Sequence, residues 1–243
     1  MNENLITTLD EINGLRITQP PTGPRVNMDT VLLASWVKLA RGYSKFLEAG
    51  CATGAISLLL AKKFQNKNFH ITGIEIQSEL VKMARINAIM NELDTKTKFI
   101  EGDLRDKNLL PRENFDGLVI NPPYSSTFAG RESGDISRST ARLEISCTLD
   151  DVGELAFRVL KSRARLFAVF ASSRLDVFMN TMTKYKIIPK RLRPVYPKIN
   201  DSSGIFLIEC VKNGGEGLVL MPPLVIRDEN NNYTLDLLKA YEF

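Results

Sequence analysis

The period of apolar and polar positions changes repeatedly along the chain. KFLEAG (45–50) is a short apolar run ending in glycine and reads as a strand. AISLLLAKKFQ (55–65) carries its apolar residues at helical spacing. FHITGIEI (69–76) alternates as a strand does, and SELVKMARINAIMNE (78–92) reads as a helix with Ser78 as its N-cap. TKFIEGD (97–103) and FDGLVINPP (115–123) are strands, Thr140 to Leu160 is helical in pattern, and RLFAVFA (165–171) is an apolar strand. Strands alternating with helices at this pitch predict βαβ units and a mostly parallel sheet covered on both faces.

Past residue 171 the pattern changes. KRLRPVYP (190–197) and SGIFLIECVKN (203–213) are strands with no helix between them, so they should pair antiparallel. LVLMPPLVI (218–226) is extended but broken by Pro222 and Pro223, which assigns it to an edge. The tail, YTLDLLKAYEF, is a short helix. Ahead of the first strand, MDTVLLASWVKLA (28–40) is an amphipathic helix with Asp29 near its start. The loops 19–27 and 125–137 are long and weakly patterned, a length that often serves function. With no internal repeat and no dividing linker, 1–243 reads as one domain: a lead-in and helix to 44, a core over 45–171, and a C-terminal part over 172–243.

Composition narrows the chemistry. Hydrophobic residues at 44% and charged residues at 25% are ordinary globular values, so disorder and fibrous classes are excluded. No apolar run reaches the roughly 18 residues of a membrane span. The N-terminus MNENLITTLDE carries acid and amide where a secretion signal carries Lys or Arg, so a cytoplasmic location is expected. Three scattered cysteines without a CxxC argue against zinc or a disulfide framework. The single histidine, His70, lies on an alternating strand and is a poor catalyst, so no metal centre is expected. The charge is uneven. Arg158 to Asn200 holds eleven basic residues against one acid, Asp176, a net of +10 that leaves −6 on the rest of a +4 chain. Such asymmetry fits a polyanionic partner on that side, against the plainer reading of a solvated basic surface.

Four features fall at the C-terminal ends of successive strands, the edge where an open parallel sheet binds ligands. Glu48-Ala-Gly50-Cys-Ala-Thr-Gly54 lets backbone pass close to a ligand and leaves helix N–H groups facing it. It is neither a GxGxxG nor a P-loop. Glu75, 21 residues after Gly54, suits the two hydroxyls of a ribose. Asp103 suits an exocyclic amine, or else caps a turn. Asn121-Pro122-Pro123-Tyr124 is the sharpest signal. Its prolines fix the backbone, so the Asn121 side chain and the Pro122 carbonyl point in defined directions as acceptors for a planar NH2 group, and Tyr124 offers a stacking face.

The set EAGCATG, IEI, GD and NPPY resembles the class I S-adenosylmethionine-dependent methyltransferases in their amino-methylating branch. The segments RITQPPTGPRVNMDTVLLASWV, ARLEIS, PKRLRPVYP and MPPLVIRDENNNYTLD are similar to the bacterial tRNA1(Val) adenine-N6 methyltransferase family, nearly end to end. The resemblance implies a Rossmann-like fold: a mostly parallel seven-stranded sheet, an antiparallel C-terminal hairpin, and helices on both faces. It implies that Glu48, Gly50 and Gly54 line the methionine part of S-adenosylmethionine, Glu75 its ribose and Asp103 its adenine. Asp29 falls where the family closes over the cofactor, and Asn121, Pro122, Pro123 and Tyr124 form the catalytic motif. Ala52 replaces a glycine of many relatives, and cofactor binding is expected to survive because alanine need not demand positive φ there. The implied partner is RNA, foremost tRNA, gripped by 158–200 and by the 125–142 loop. The rival readings are a glutamine methyltransferase acting on a release factor, a DNA adenine methyltransferase, and a non-catalytic RNA-binding module.

Overall fold

The computed structural model describes residues 8–23, 25–122 and 147–242. The chain opens on an antiparallel hairpin, β1 (Thr8–Ile12) and β2 (Leu15–Gln19). The sequence reading expected only a lead-in and one helix before residue 45, and the hairpin corrects it. Its signal was present: Asn13-Gly14 sits between the strands with both residues at positive φ, 50° and 65°. That dipeptide favours the two-residue turn whose twist matches a hairpin.

The elements that follow are α1 (Met28–Trp36), β3 (Lys45–Ala49), α2 (Ala55–Lys63), β4 (His70–Glu75), α3 (Ser78–Met90), β5 (Thr97–Glu101) and β6 (Phe115–Ile120). After the undescribed 123–146 come α4 (Leu149–Val159), β7 (Leu160–Ala171), α5 (Leu175–Lys184), β8 (Ile187–Tyr196) and β9 (Ile205–Lys212). Two-residue strands β10 (Val219–Leu220) and β11 (Leu224–Val225) and helix α6 (Leu235–Ala240) close the chain. The expected helix from Thr140 is described only from Leu149. Ser78 is the first helical residue of α3, and Gln77 is the N-cap, without a side-chain bond.

Seven long strands run in the order β5-β4-β3-β6-β7-β9-β8. All neighbours up to β7 are parallel, while β9 is antiparallel to both β7 and β8. The full sheet has nine strands, because β10 and β11 both add to the outer side of β8, in parallel. The proline-broken piece is therefore at an edge, as its sequence requires.

Successive residues of the central strands feed opposite layers. Phe46, Val119, Phe167 and Val169 join the core under α1, α2 and α3. Leu47, Leu118, Ile120, Leu166 and Phe170 join a second core under α4 and α5. Period-2 side chains on strands buried on both faces explain why these segments read as continuous apolar runs. Between β5 and β6 the described chain has no helix. A looped segment lays Leu109 and Leu110 over the second core instead.

Candidate active site

Register brings the motifs to one level. Ala49 of β3 stands opposite Ile74 of β4 and Ile120 of β6, and Glu75 stands opposite Glu101 of β5. Continuing those registers by one residue sets Asn121, Gly50 and Glu75 side by side at the carboxyl ends. Two inter-strand spacings, about 10 Å, separate Asn121 from Glu75.

The glycine-rich turn between β3 and α2 is built from left-handed backbone. Gly50, Ala52 and Gly54 have φ of 70°, 44° and 82°. Gly54 is also pressed against Phe99 and Ala84, where an added Cβ would come within 2.8 Å of the ring. Gly50 differs: it is exposed, and a Cβ on it would meet nothing within 4 Å. Ala52 departs from expectation, for its φ lies in the region that favours glycine.

Carboxylates fasten this turn. Glu75 is 7% exposed and accepts from the Ala52 N–H at 3.0 Å and from the Gln77 N–H at 3.0 Å, one on each oxygen. Each oxygen retains a second lone pair for a ligand hydroxyl. Glu48 lies beneath the turn, 2% exposed, and one oxygen accepts both the Ser57 N–H at 2.9 Å and the Ser57 hydroxyl at 2.5 Å. It thereby caps α2, whose N-cap Gly54 has no side chain to do so. Burial pushes the Glu48 carboxyl up to about 8, against the opposing pull of the two Ser57 bonds. Glu48 thus braces the loop through Ser57.

Asp103 follows β5 at the same edge, but Arg105 holds it through its backbone N–H and its guanidinium. The Arg105 hydrogen bond is the main reason its carboxyl lies below the usual carboxylate range. Asn121 and Pro122 leave β6 half-buried, while Pro123, Tyr124 and the 125–142 loop lie outside the described residues. Asp29 occupies the first turn of α1, close enough to Tyr241 of the C-terminal tail to act on its phenol electrostatically. His70 starts β4 at the opposite edge, exposed, and is remote from all of these groups.

Two residues escaped the sequence reading. Asn87 of α3 is fully buried, and its amide bonds the backbone of Thr18 in the hairpin and the Thr53 carbonyl of the glycine-rich turn. It locks the hairpin to the site. A polar residue on the apolar face of α3 was the available clue. Ile76 follows Glu75 and is 42% exposed, an apolar wall at the carboxyl edge.

The basic segment is less open than its charge suggested. Arg165 and Arg191 both pair with Glu209, which is 2% exposed, and Arg191 stacks under Trp36 at 4.4 Å. Lys161 pairs with Asp116, Lys184 with Asp150 and Arg193 with Asp236. Arg158, Arg163 and Lys190 donate to backbone carbonyls. Arg174 lies over the Phe170 ring, so nine of the eleven cations are engaged by the chain itself, and the acids they pair with all come from outside the segment. A run of like charge in sequence does not foretell its partners in space.

A doubly covered parallel sheet of this strand order, with a glycine-rich turn and two acids at its carboxyl edge, defines the Rossmann-like, S-adenosylmethionine-dependent methyltransferases. The chain belongs to the methyltransferase domain family, which it matches over residues 42–194. It is 29% identical over 185 residues to the tRNA1(Val) (adenine(37)-N6)-methyltransferase of Porphyromonas gingivalis, covering 74% of this chain and 71% of that protein. It is 25% identical to the protein of that name from Actinobacillus succinogenes, covering 88% and 87%. Among solved structures, a predicted O-methyltransferase of Agrobacterium tumefaciens superposes with a TM-score of 0.70 at 16% identity, over 88% of this chain and 95% of that one. Pyrococcus horikoshii TYW2 in complex with MeSAdo gives 0.58 at 13%, over 88% and 74%. These two likenesses concern the fold.

The residues present fit S-adenosylmethionine. Open space lies over Gly50, Glu75 has spare acceptor capacity beside it, and Ile76 offers an apolar surface. No helix among the described residues is long and apolar enough to cross a membrane.

Proposed function

We propose that the chain, acting as one domain, methylates N6 of adenine in tRNA. The observation that carries this reading is that β3, β4 and β6 end in register at one edge, with Ala49 opposite both Ile74 and Ile120, and Gly50, Glu75 and Asn121 are the next residues of those chains. The two curated relatives described above support tRNA as the substrate class. S-adenosylmethionine, when bound, supplies a methyl group on a positively charged sulfur.

The protein's contribution is positional. The exocyclic nitrogen shares its lone pair with the ring and is a weak nucleophile. In this proposal the Asn121 side-chain oxygen and the Pro122 carbonyl accept its two N–H groups and favour a pyramidal nitrogen whose lone pair leaves conjugation. Tyr124 stacks on the base, which must leave its helical stack to arrive there. Glu75 takes the ribose hydroxyls, Gly50 and Gly54 let the backbone approach the methionine part, and Asp103 and Asp29 complete the cofactor's surround. No strong base is needed before transfer, in keeping with the remote His70.

Methyl transfer from radiolabelled cofactor to bulk tRNA, a release factor and duplex DNA tests the reading. Label in tRNA as N6-methyladenosine is expected; label in a glutamine of the release factor or in DNA overturns it. Asn121→Ala should lose about 10²–10³-fold in turnover while cofactor affinity stays near wild type. A variant that turns over at the wild-type rate on its true substrate would remove Asn121 from the mechanism.

A further inference from the structure

A cleft of about 900 Å³ opens at the amino ends of the strands, on the edge opposite the candidate active site. It lies between the link joining α1 to β3 and the end of α2. Four cations line it, Lys38, Arg41, Lys63 and Lys67, and no acid does. Lys38, Arg41 and Lys67 are exposed and form no ion pair among the described residues. Lys63 is half-buried at the base, where its ammonium donates to the Ala34, Ser35 and Val37 carbonyls at 2.9, 2.7 and 3.0 Å. Burial, and then the neighbouring Lys38, lower its pKa to about 8.

We propose that this cleft is a second RNA contact, one that grips a phosphate backbone away from the methylated base. The inference rests on the tRNA reading of the active site. Charge complementarity selects the ligand class, because cations without acidic partners are what a phosphate chain neutralises. Distance selects an extended ligand. The five residues of β3 span about 17 Å between the cleft and the glycine-rich turn, so one ligand reaching both is longer than a nucleotide. The contrast with 158–200 sharpens the assignment: there nine of eleven cations are engaged by the chain itself, whereas three of the four here face solvent.

The test is the triple variant Lys38→Glu, Arg41→Glu, Lys67→Glu, which alters only exposed side chains. Whole-tRNA affinity is measured across a salt series, together with KM and kcat for tRNA, for a short RNA holding only the target loop, and for the cofactor. Expected is a loss of tenfold or more in tRNA affinity at low salt. The log–log salt slope should fall by about 2, three contacts at about 0.7 each. KM for whole tRNA should rise while kcat, the short RNA and the cofactor are unaffected. Unchanged tRNA affinity and slope overturn the cleft assignment, as does an equal loss on the short RNA. A wild-type protein that binds tRNA without methylating it overturns the activity and leaves the cleft judged by the slope. A wild-type protein that binds no tRNA overturns both.

Discussion

The two edges of the sheet treat charge in opposite ways. At the carboxyl edge Glu48, Glu75 and Asp103 are acceptors of backbone N–H groups. At the amino edge Lys63 donates to three backbone carbonyls, and Lys38, Arg41 and Lys67 stand around it. Backbone polarity accounts for the difference. Helix α2 begins at the carboxyl edge, so orphan N–H groups gather there and Glu48 satisfies one. Helix α1 ends at the amino edge, so orphan carbonyls gather and an ammonium satisfies them. The net +4 of the chain conceals this separation. One edge is thereby suited to a cationic cofactor, the other to a polyanion.

The comparison breaks most sharply at Glu75. Glu75→Ala removes the ribose acceptor and also frees the Ala52 and Gln77 N–H groups that it holds. Losing one partner of a buried polar group costs about 1–3 kcal/mol, so calorimetry should show cofactor affinity down by about tenfold to a hundredfold. Unaltered affinity would leave the carboxyl-edge acids as loop braces alone.

Glu48 supplies a smaller, pH-dependent effect. Its folded carboxyl is pushed up to about 8 from an ordinary 4.5, so between those values the folded state holds a proton that the unfolded state has lost. Stability from this group is fully present below 4.5 and declines as pH rises toward 8. Glu48→Gln keeps an acceptor for Ser57 and cannot ionise. The gap between wild type and variant in thermal midpoint should therefore widen, to the disadvantage of wild type, from pH 5 to pH 8, each kcal/mol moving Tm by about 2–4 °C. A constant gap across that range would mean that Glu48 is ionised where it lies.

Much of the fold was legible because buried parallel strands announce themselves as apolar runs. The antiparallel turn at β9 followed from the missing helix before it. The hairpin was missed, although Asn13-Gly14 states it locally, because its strands are short and half-polar. The four strand-end motifs were legible as a row, since a parallel sheet delivers equivalent loops to one edge. What each carboxylate touches was not legible. Glu48 and Glu75 look alike in sequence, yet the first is turned under the loop toward Ser57 and the second meets the turn at Ala52. The partners of the basic run lay mostly outside its segment and were invisible for the same reason. The cleft at the other edge escaped because its cations are scattered over 38–67 among acid-free loops, with no run to draw the eye.

The smallest effect expected is at Ala52, and it tests whether the carboxyl edge is made chiefly of backbone. Ala52 holds φ at 44°, a left-handed conformation that costs an L residue about 1–2 kcal/mol. Its N–H bond to Glu75 depends on that conformation and not on the methyl group. Ala52→Gly removes the steric cost but loosens the unfolded chain, which offsets about 0.4–1 kcal/mol. The net expectation from denaturant unfolding is a gain of roughly 0.8 kcal/mol, the difference between the midpoints of those two ranges. Cofactor affinity should hold or rise slightly, because the turn keeps its bond to Glu75 without strain. A loss of about 1 kcal/mol or more would show that the methyl group itself packs usefully or that restriction of the unfolded chain dominates at this position. In that case the turn would depend on its side chains as well as its backbone, and the contrast between an edge of oriented amides and an edge of exposed cations would weaken.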